Sequence, residues 1–390
     1  MADGRKGRLA TALALAGLLV AARSNAQETS ADTSAQRVSL QGFGGWAYGK
    51  TDNDNAFAYN ADGKGVWNNY YFALNVAAQP MDKLSIRAQA FWGEDSRPQR
   101  TNLDYAFAEW AESPLLKLRV GKVLAPFGLY SETYDVGTLR PFYLLPQFYA
   151  GTLGFIPKAY LGGGVTGTPR LSQSWDLQYD VFGGQVRFDP FPIDRVVGLD
   201  PASGLPQIQT TQQQVTGREM IGGRLLLASA TKGLDVGGTL IHIGKLDYPA
   251  GSPLSMTRAT LVNARVQYQK SGFAVRGEYF GVFTDDADMK SGYAEASYKL
   301  ARHWQLAAQY ERSQIVLAHG DQSVPDALLH HSAFGLAVNF WVSPEFVLKL
   351  NGYTVRKNMI ARPANAGLQA ALGTIDETTG VVVLGAQFSF

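Results

Sequence analysis

The chain has 390 residues, no cysteine, and 35 Lys plus Arg against 33 Asp plus Glu, for a net charge of +2. This near balance leaves no electrostatic footprint for nucleic acid, and a chain without thiols has neither disulfide staples nor thiolate chemistry. Hydrophobic residues make up 46% and charged residues 17%, yet after residue 26 no apolar run reaches the ~18 residues that a membrane-spanning helix needs.

Residues 1–26 read as a signal peptide: Arg5, Lys6 and Arg8 come first, then LATALALAGLLVAA, then small residues ending at Ala26. A short segment, 27–37, precedes the first strand signal. From Val38 to Phe390 apolar and polar residues alternate. LSIRAQAFW sets Leu84, Ile86, Ala88, Ala90 and Trp92 against Ser85, Arg87 and Gln89, and WDLQYDV sets Trp175, Leu177, Tyr179 and Val181 against Asp176, Gln178 and Asp180. TLVNARVQY, FAVRGEYF and HWQLAAQYER repeat the pattern, while LDVGGTLIHIG (234–244) is apolar on both faces. Period two predicts strands with one apolar face, but fits a soluble sandwich as well as a membrane barrel.

Length and rhythm separate the two. About sixteen segments, each near the 9–11 residues of a tilted membrane-crossing strand, start near Val38, Val66, Leu84, Asn102, Leu115, Ala159, Ser174, Arg218, Leu234, Arg258, Gly272, Lys290, His303, His331, Phe346 and Gly380. Their connections alternate. Short ones fall at 79–83, 112–114, 229–233, 270–272, 301–303 and 342–345, and long ones at 51–65, 124–158, 187–217 and 357–379. Short turns on one rim and long loops on the other, around an even strand number, predict an all-β, transmembrane antiparallel barrel. Trp46, Tyr48, Tyr70, Trp92, Trp110, Trp175, Tyr268, Tyr298, Trp304 and Trp341 lie near strand ends, as interfacial girdles require.

The last ten residues, VVVLGAQFSF, carry no charge and alternate. The reading is a closing strand that pairs with the first and turns Val382, Leu384, Ala386 and Phe388 toward lipid. An alternating apolar end finishing in Phe390 resembles the assembly signal of Gram-negative outer-membrane proteins. That resemblance implies outer-membrane localisation and recognition of Phe388 and Phe390 by the barrel-assembly machinery.

The segment 124–158 is too apolar for a loop in water: it holds Phe127, Leu129, Tyr130, Tyr134, Phe142, Tyr143, Leu144, Leu145, Phe148, Tyr149 and Phe155, stiffened by Pro126, Pro141, Pro146 and Pro157. Such a loop needs a surface to cover. Folded inward it would form a constriction, with Glu132, Asp135 and Arg140 beside Tyr130 and Tyr134 facing the remaining water. Packing across the barrel mouth, a subunit contact, or an exposed binding loop are the alternatives. GKVLAPFGLYSE (121–132), with the later RP and LLPQ elements, resembles a segment of porins related to the phosphate-selective O/P porins. The resemblance implies a passive, sixteen-stranded, homotrimeric diffusion channel without cofactors, passing small hydrophilic solutes or ions. The loop lacks the lysine cluster of phosphate selection, so that selectivity is not carried over.

Charges assigned to the lumen are Arg87, Lys117, Arg119, Arg224, Arg265, Arg276, Lys299, Lys349 and Arg356 against Asp176, Asp180, Glu278, Glu295 and Glu311. The basic excess predicts a modest anion preference, less whatever pairs across strands. An enzyme is the competing class, as is an adhesive or structural barrel without an open pore. No GxSxG, HExxH or CxxC occurs. His330-His331 reads as a polar rim pair rather than a metal site, and TDNDN (51–55) and TDDAD (284–288) as solvated tips lacking the spacing of a calcium loop.

Overall fold

The computed structural model describes residues 38–390 except 58–60, 94–100, 132, 134–135, 151–155, 189–190, 200–205, 230–232, 251, 253–255, 318–325 and 363–375. The expected signal peptide and the segment 27–37 lie outside the described residues.

Sixteen antiparallel strands close into one barrel in chain order. They are β1 (Val38–Thr51), β2 (Val66–Met81), β3 (Leu84–Gly93), β4 (Thr101–Ser113), β5 (Leu116–Leu124), β6 (Ala159–Gly167), β7 (Asp176–Arg187), β8 (Thr216–Ser229), β9 (Leu234–Asp247), β10 (Ala259–Lys270), β11 (Phe273–Thr284), β12 (Ala287–Lys299), β13 (Trp304–Leu317), β14 (His330–Ser343), β15 (Phe346–Arg356) and β16 (Thr378–Ser389). Each starts within three residues of its expected position, the widest departure being Ala287 against Lys290. The seam pairs β1 with β16 from Thr51↔Val381 to Phe43↔Ser389. Beyond it Phe390 and Gly42 exchange both backbone hydrogen bonds. Closure leaves the barrel sheet without an edge strand to template aggregation.

Alternation sets the two faces. Along β15, Val347, Lys349, Asn351, Tyr353 and Val355 are buried while Leu348, Leu350 and Thr354 are exposed. The same parity around the wall turns Val120, Ile221, Leu225, Leu240, Leu336, Val382 and Leu384 outward, each at least half exposed. An exposed apolar belt of this kind is stable only where the surround is not water. Ala386 shares the outward parity but is covered, lying between Trp46 and Leu348 in register. Of the expected girdle, Trp46, Tyr70, Trp92, Trp110, Tyr268, Tyr298 and Trp304 are exposed. Trp341 is not among them. It shares the inward parity of Asn339, donates to Gln305 Oε1 at 3.3 Å and has the Lys299 ammonium 5.0 Å above its ring.

The two rims differ as expected, with two exceptions. On the short-turn rim the connection 168–175 is eight residues long, and on the long-loop rim β11 and β12 are joined by Asp285 and Asp286 alone. That tight turn is closed by Thr284, whose hydroxyl donates to Ala287 O and accepts from Ala287 N. A two-stranded ribbon, 191–199 with 206–213, forms part of the β7–β8 connection. The β1–β2 and β15–β16 connections are tied across the seam by an Ala56–Phe57/Ala361–Arg362 bridge and by Asn55 Nδ2, which donates to Asp376 O as Asn358 Nδ2 also does.

Candidate functional site

Between β5 and β6 runs the third long-rim connection, 125–158. Its neck is closed by Ala125 N donating to Lys158 O at 3.0 Å. Its described aromatic residues are buried, and they pack on inward-facing rings: Phe127 on Phe280, Phe142 on Tyr353, and Tyr130 stacked on Tyr293 at 6.4 Å. Such pairs contribute roughly 0.5–1.5 kcal/mol each beyond area burial.

Side chains of the wall hold the segment by its backbone. Thr239 of β9 donates to Pro126 O at 2.7 Å, and Arg265 of β10 to Gly128 O at 3.0 Å. On β11 the buried Glu278 accepts from Leu129 N and from the Tyr149 and Tyr293 hydroxyls, each at 2.7 Å, and from Asn263 Nδ2 at 3.2 Å. Glu295 of β12 accepts from the Tyr130 hydroxyl at 3.0 Å and from Arg276 at 2.8 Å. Glu311 of β13 accepts from Gln147 N at 2.8 Å, and its other oxygen meets His331 Nε2 at 3.0 Å. Asn339 of β14 donates to Pro141 O. Lys349 of β15, without exposed surface, donates to Gly137 O, Arg140 O and Phe142 O at 2.8, 2.6 and 3.2 Å, and Asn351 accepts from Tyr143 N. Thr138 reaches Ser389 of β16 at 3.2 Å. Every strand from β9 to β16 therefore contributes an anchor, and the Tyr143 hydroxyl touches Asn69 O on β2 beyond the seam.

Glycine permits two of the close approaches. Gly128 has φ +94°, and a Cβ there would collide with the Tyr149 hydroxyl; a Cβ at Gly385 would press into the Tyr143 ring. Burial and the neighbouring Glu295 and Glu278 push the Tyr130 and Tyr149 hydroxyls well above the usual phenol range, so both stay protonated donors.

The wall from β3 to β8 carries a different set. Arg119 pairs with Glu109 at 2.6 Å and lies 4.0 Å from Asp180, which also holds Arg224 at 2.7 Å; Lys158 meets Asp104 at 2.9 Å. Arg87 is exposed, Lys117 half-buried, and neither makes an ion pair with a described residue.

These positions revise the lumen charges. Lys349 is spent on the loop backbone, Arg265 partly so, and Arg276 and Arg224 lie against buried carboxylates. Arg356 has the outward parity of Leu348 and Leu350 and does not face the lumen. Arg140 is 9% exposed, and its Nε has no hydrogen-bond partner. Tyr130, expected to face the remaining water, is buried instead, its hydroxyl on Glu295 and its ring against Tyr293; Glu132, Tyr134 and Asp135 lie outside the described residues. The two adjacent histidines point to opposite faces, His331 inward to Glu311 and His330 toward Asp326 at 3.1 Å. Among the described residues no group of three His, Asp or Glu converges. The anchors Glu278, Glu295, Glu311, Asn339 and Asn351 were not singled out as such by sequence reasoning. Their one signal is a polar residue on the inward parity of a mid-strand position, as in AVNFW and KLNGY.

Neither a protein-family model nor a curated protein sequence matches the chain. Solved structures do. The outer-membrane channel DcaP of Acinetobacter baumannii superposes with a TM-score of 0.54 at 10% identity, over 90% of this chain and 97% of that one. The trimer form of OmpT from Vibrio cholerae gives 0.52 at 10%, over 90% and 99%. The anion-selective porin of Comamonas acidovorans gives 0.51 at 12%, over 90% and 99%. The fold is that of outer-membrane porins. At these identities the likeness reaches no further than fold.

Proposed function

We propose that the protein is an outer-membrane porin, a water-filled channel for passive diffusion of small hydrophilic solutes, with 124–158 as its constriction, Tyr130 fastening it to the wall, and Arg140, Glu132 and Asp135 beside Tyr134 at the narrowest level. The observation that carries this is the one-sided anchoring. Apart from Tyr143 on Asn69 of β2 and Lys158 at the neck, which pairs with Asp104 of β4, the segment is fastened along β9–β16, while on the inner wall of β3–β8 Arg87 stays exposed and Lys117 half-buried. A loop bound to one half of a sixteen-strand wall narrows a lumen that the strand number alone makes too wide to fill. Charges at such a narrowing set permeation, and Arg140, Arg87 and Lys117 give the reading its modest anion preference. Export through a cleaved signal peptide, assembly through Phe388 and Phe390, a homotrimer, distant kinship to the O/P porins, and the absence of a catalytic role complete it.

The test is single-channel recording of the purified protein in a planar bilayer under a KCl gradient. Discrete steps with triplet closures and an anion-signed reversal potential are expected, and Arg140→Ala should move that potential toward cations. An Arg140→Ala channel with unchanged conductance and potential removes Arg140 from the eyelet. One observation favours a second reading, a barrel without an open pore: the mass of buried aromatic side chains between neck and Tyr149. A folded but electrically silent barrel would select it.

A further inference from the structure

The outward face holds an arrangement that conduction does not use. Arg312 on β13, Ser332 on β14 and Arg356 on β15 are consecutive register partners. All three point outward, because the intervening Glu311, His331 and Val355 are buried on the inside. A strand spacing of about 4.8 Å sets the arginine Cα atoms about 10 Å apart across the serine. In register the row is flanked by Gly292, which has no side chain, and by Thr378, which has a short one. Both arginines are exposed, and neither makes an ion pair with a described residue.

Depth decides what meets them. One step toward the barrel's middle, the same face presents Tyr310 and Phe334 in register, each about half exposed. A row of outward aromatic rings marks the boundary between hydrocarbon and headgroups. Guanidinium groups one step beyond that boundary stand at headgroup level on the long-loop side, where facing lipid costs little and an anionic headgroup completes their hydrogen bonding. Two forked donors about 10 Å apart with a hydroxyl between them suit a phosphate oxygen set better than a single carboxylate. We propose that Arg312, Ser332 and Arg356 form a docking site for the phosphate groups of a lipid in the leaflet on the long-loop side. The inference rests on the reading of the barrel as a membrane protein, but not on its conducting.

The full-length protein, folded in detergent, is titrated with diphosphoryl lipid A and with the same lipid dephosphorylated, and bound lipid is counted by native mass spectrometry. Retention of the phosphorylated form alone is expected. Arg312→Gln or Arg356→Gln should each weaken it about fivefold and the pair about twenty-five-fold, with millimolar inorganic phosphate unable to displace it. Thr378→Glu sets a carboxylate beside Arg356 without removing either arginine and should give the same loss by an independent route. Equal retention by wild type and by folded variants, or by both lipid forms, overturns the site, as does full displacement by inorganic phosphate. Conductance separates the two readings: a silent wild-type barrel with intact lipid retention sinks the channel, and a conducting barrel indifferent to phosphorylated lipid sinks the site.

Discussion

Lys349 sits where no described carboxylate reaches it within hydrogen-bond distance, and its Nζ donates to three peptide carbonyls. Leaving a buried carbonyl unsatisfied costs roughly 1–3 kcal/mol. Lys349→Met should therefore lower the temperature at which the barrel loses its compact gel mobility and make single-channel current larger and noisier. A variant indistinguishable from wild type in both would show that the loop holds itself. Glu278 makes the converse case: it accepts from four donors, and in Glu278→Gln only one oxygen remains to receive them. The same assays should register a loss comparable to that of Lys349→Met. On the long-loop rim, Asp285 takes the hydroxyl and backbone N–H of Thr257 and the Arg258 guanidinium, which pull its carboxyl down to about 2. A carboxylate depressed in the folded state contributes stability above its unfolded value of about 3.9 and loses it as pH falls through about 2. The contribution of this tie between the β9–β10 and β11–β12 connections should thus be complete down to about pH 4 and fade between there and about pH 2. Carboxyl NMR on a sample labelled at aspartate checks this, with the Asp285 midpoint expected to return toward 3.9 in Thr257→Val.

At the scale of elements, β16 shows how local pattern becomes closure. Its inward parity is small or covered (Val383, Gly385, Gln387), and its last residue pairs with Gly42 while the Phe390 ring stacks on Phe72 at 6.4 Å. Deleting Phe390 removes that backbone pair at the seam. The yield of heat-modifiable barrel in the membrane fraction should fall severalfold, and an undiminished yield would count against the terminal ring as an assembly determinant. Strands were legible in the sequence because a period of two survives any choice of partner, which is why Val38, Val66 and Leu84 start where they were expected. Sidedness at strand ends was less legible. The charge of Arg356 reads as inward, yet beyond the apolar band polarity no longer marks the interior. Trp341 was placed outside because it is aromatic, although it sits beside the irregularity between Trp341 and Ser343. The loop anchors were illegible for another reason. That Glu278 meets Leu129, 149 positions away, depends on how the sheet closes and on the loop's path across it, and neither leaves a local trace in FAVRGEYF.

For the molecule as a whole, most interior charge is spent on holding structure, so selectivity falls to few groups. A preference carried by Arg87, Lys117 and Arg140 is a long-range field rather than a bound-ion site, and such fields are screened over about 10 Å at 0.1 M salt and about 3 Å at 1 M. The reversal potential at a fixed KCl ratio should accordingly shrink toward zero as mean salt rises. A constant value would point instead to contact selection at a specific residue. The one-sided loop has a mechanical consequence as well. From β9 to β16 the wall is two-ply, a sheet with a second layer of chain bonded to its inner surface, and from β3 to β8 it is largely single-ply. Amide hydrogens of the single-ply arc should exchange first under mild denaturant. Breathing of the cylinder is then lopsided, with one stiff flank and one compliant flank facing each other across whatever passes between them.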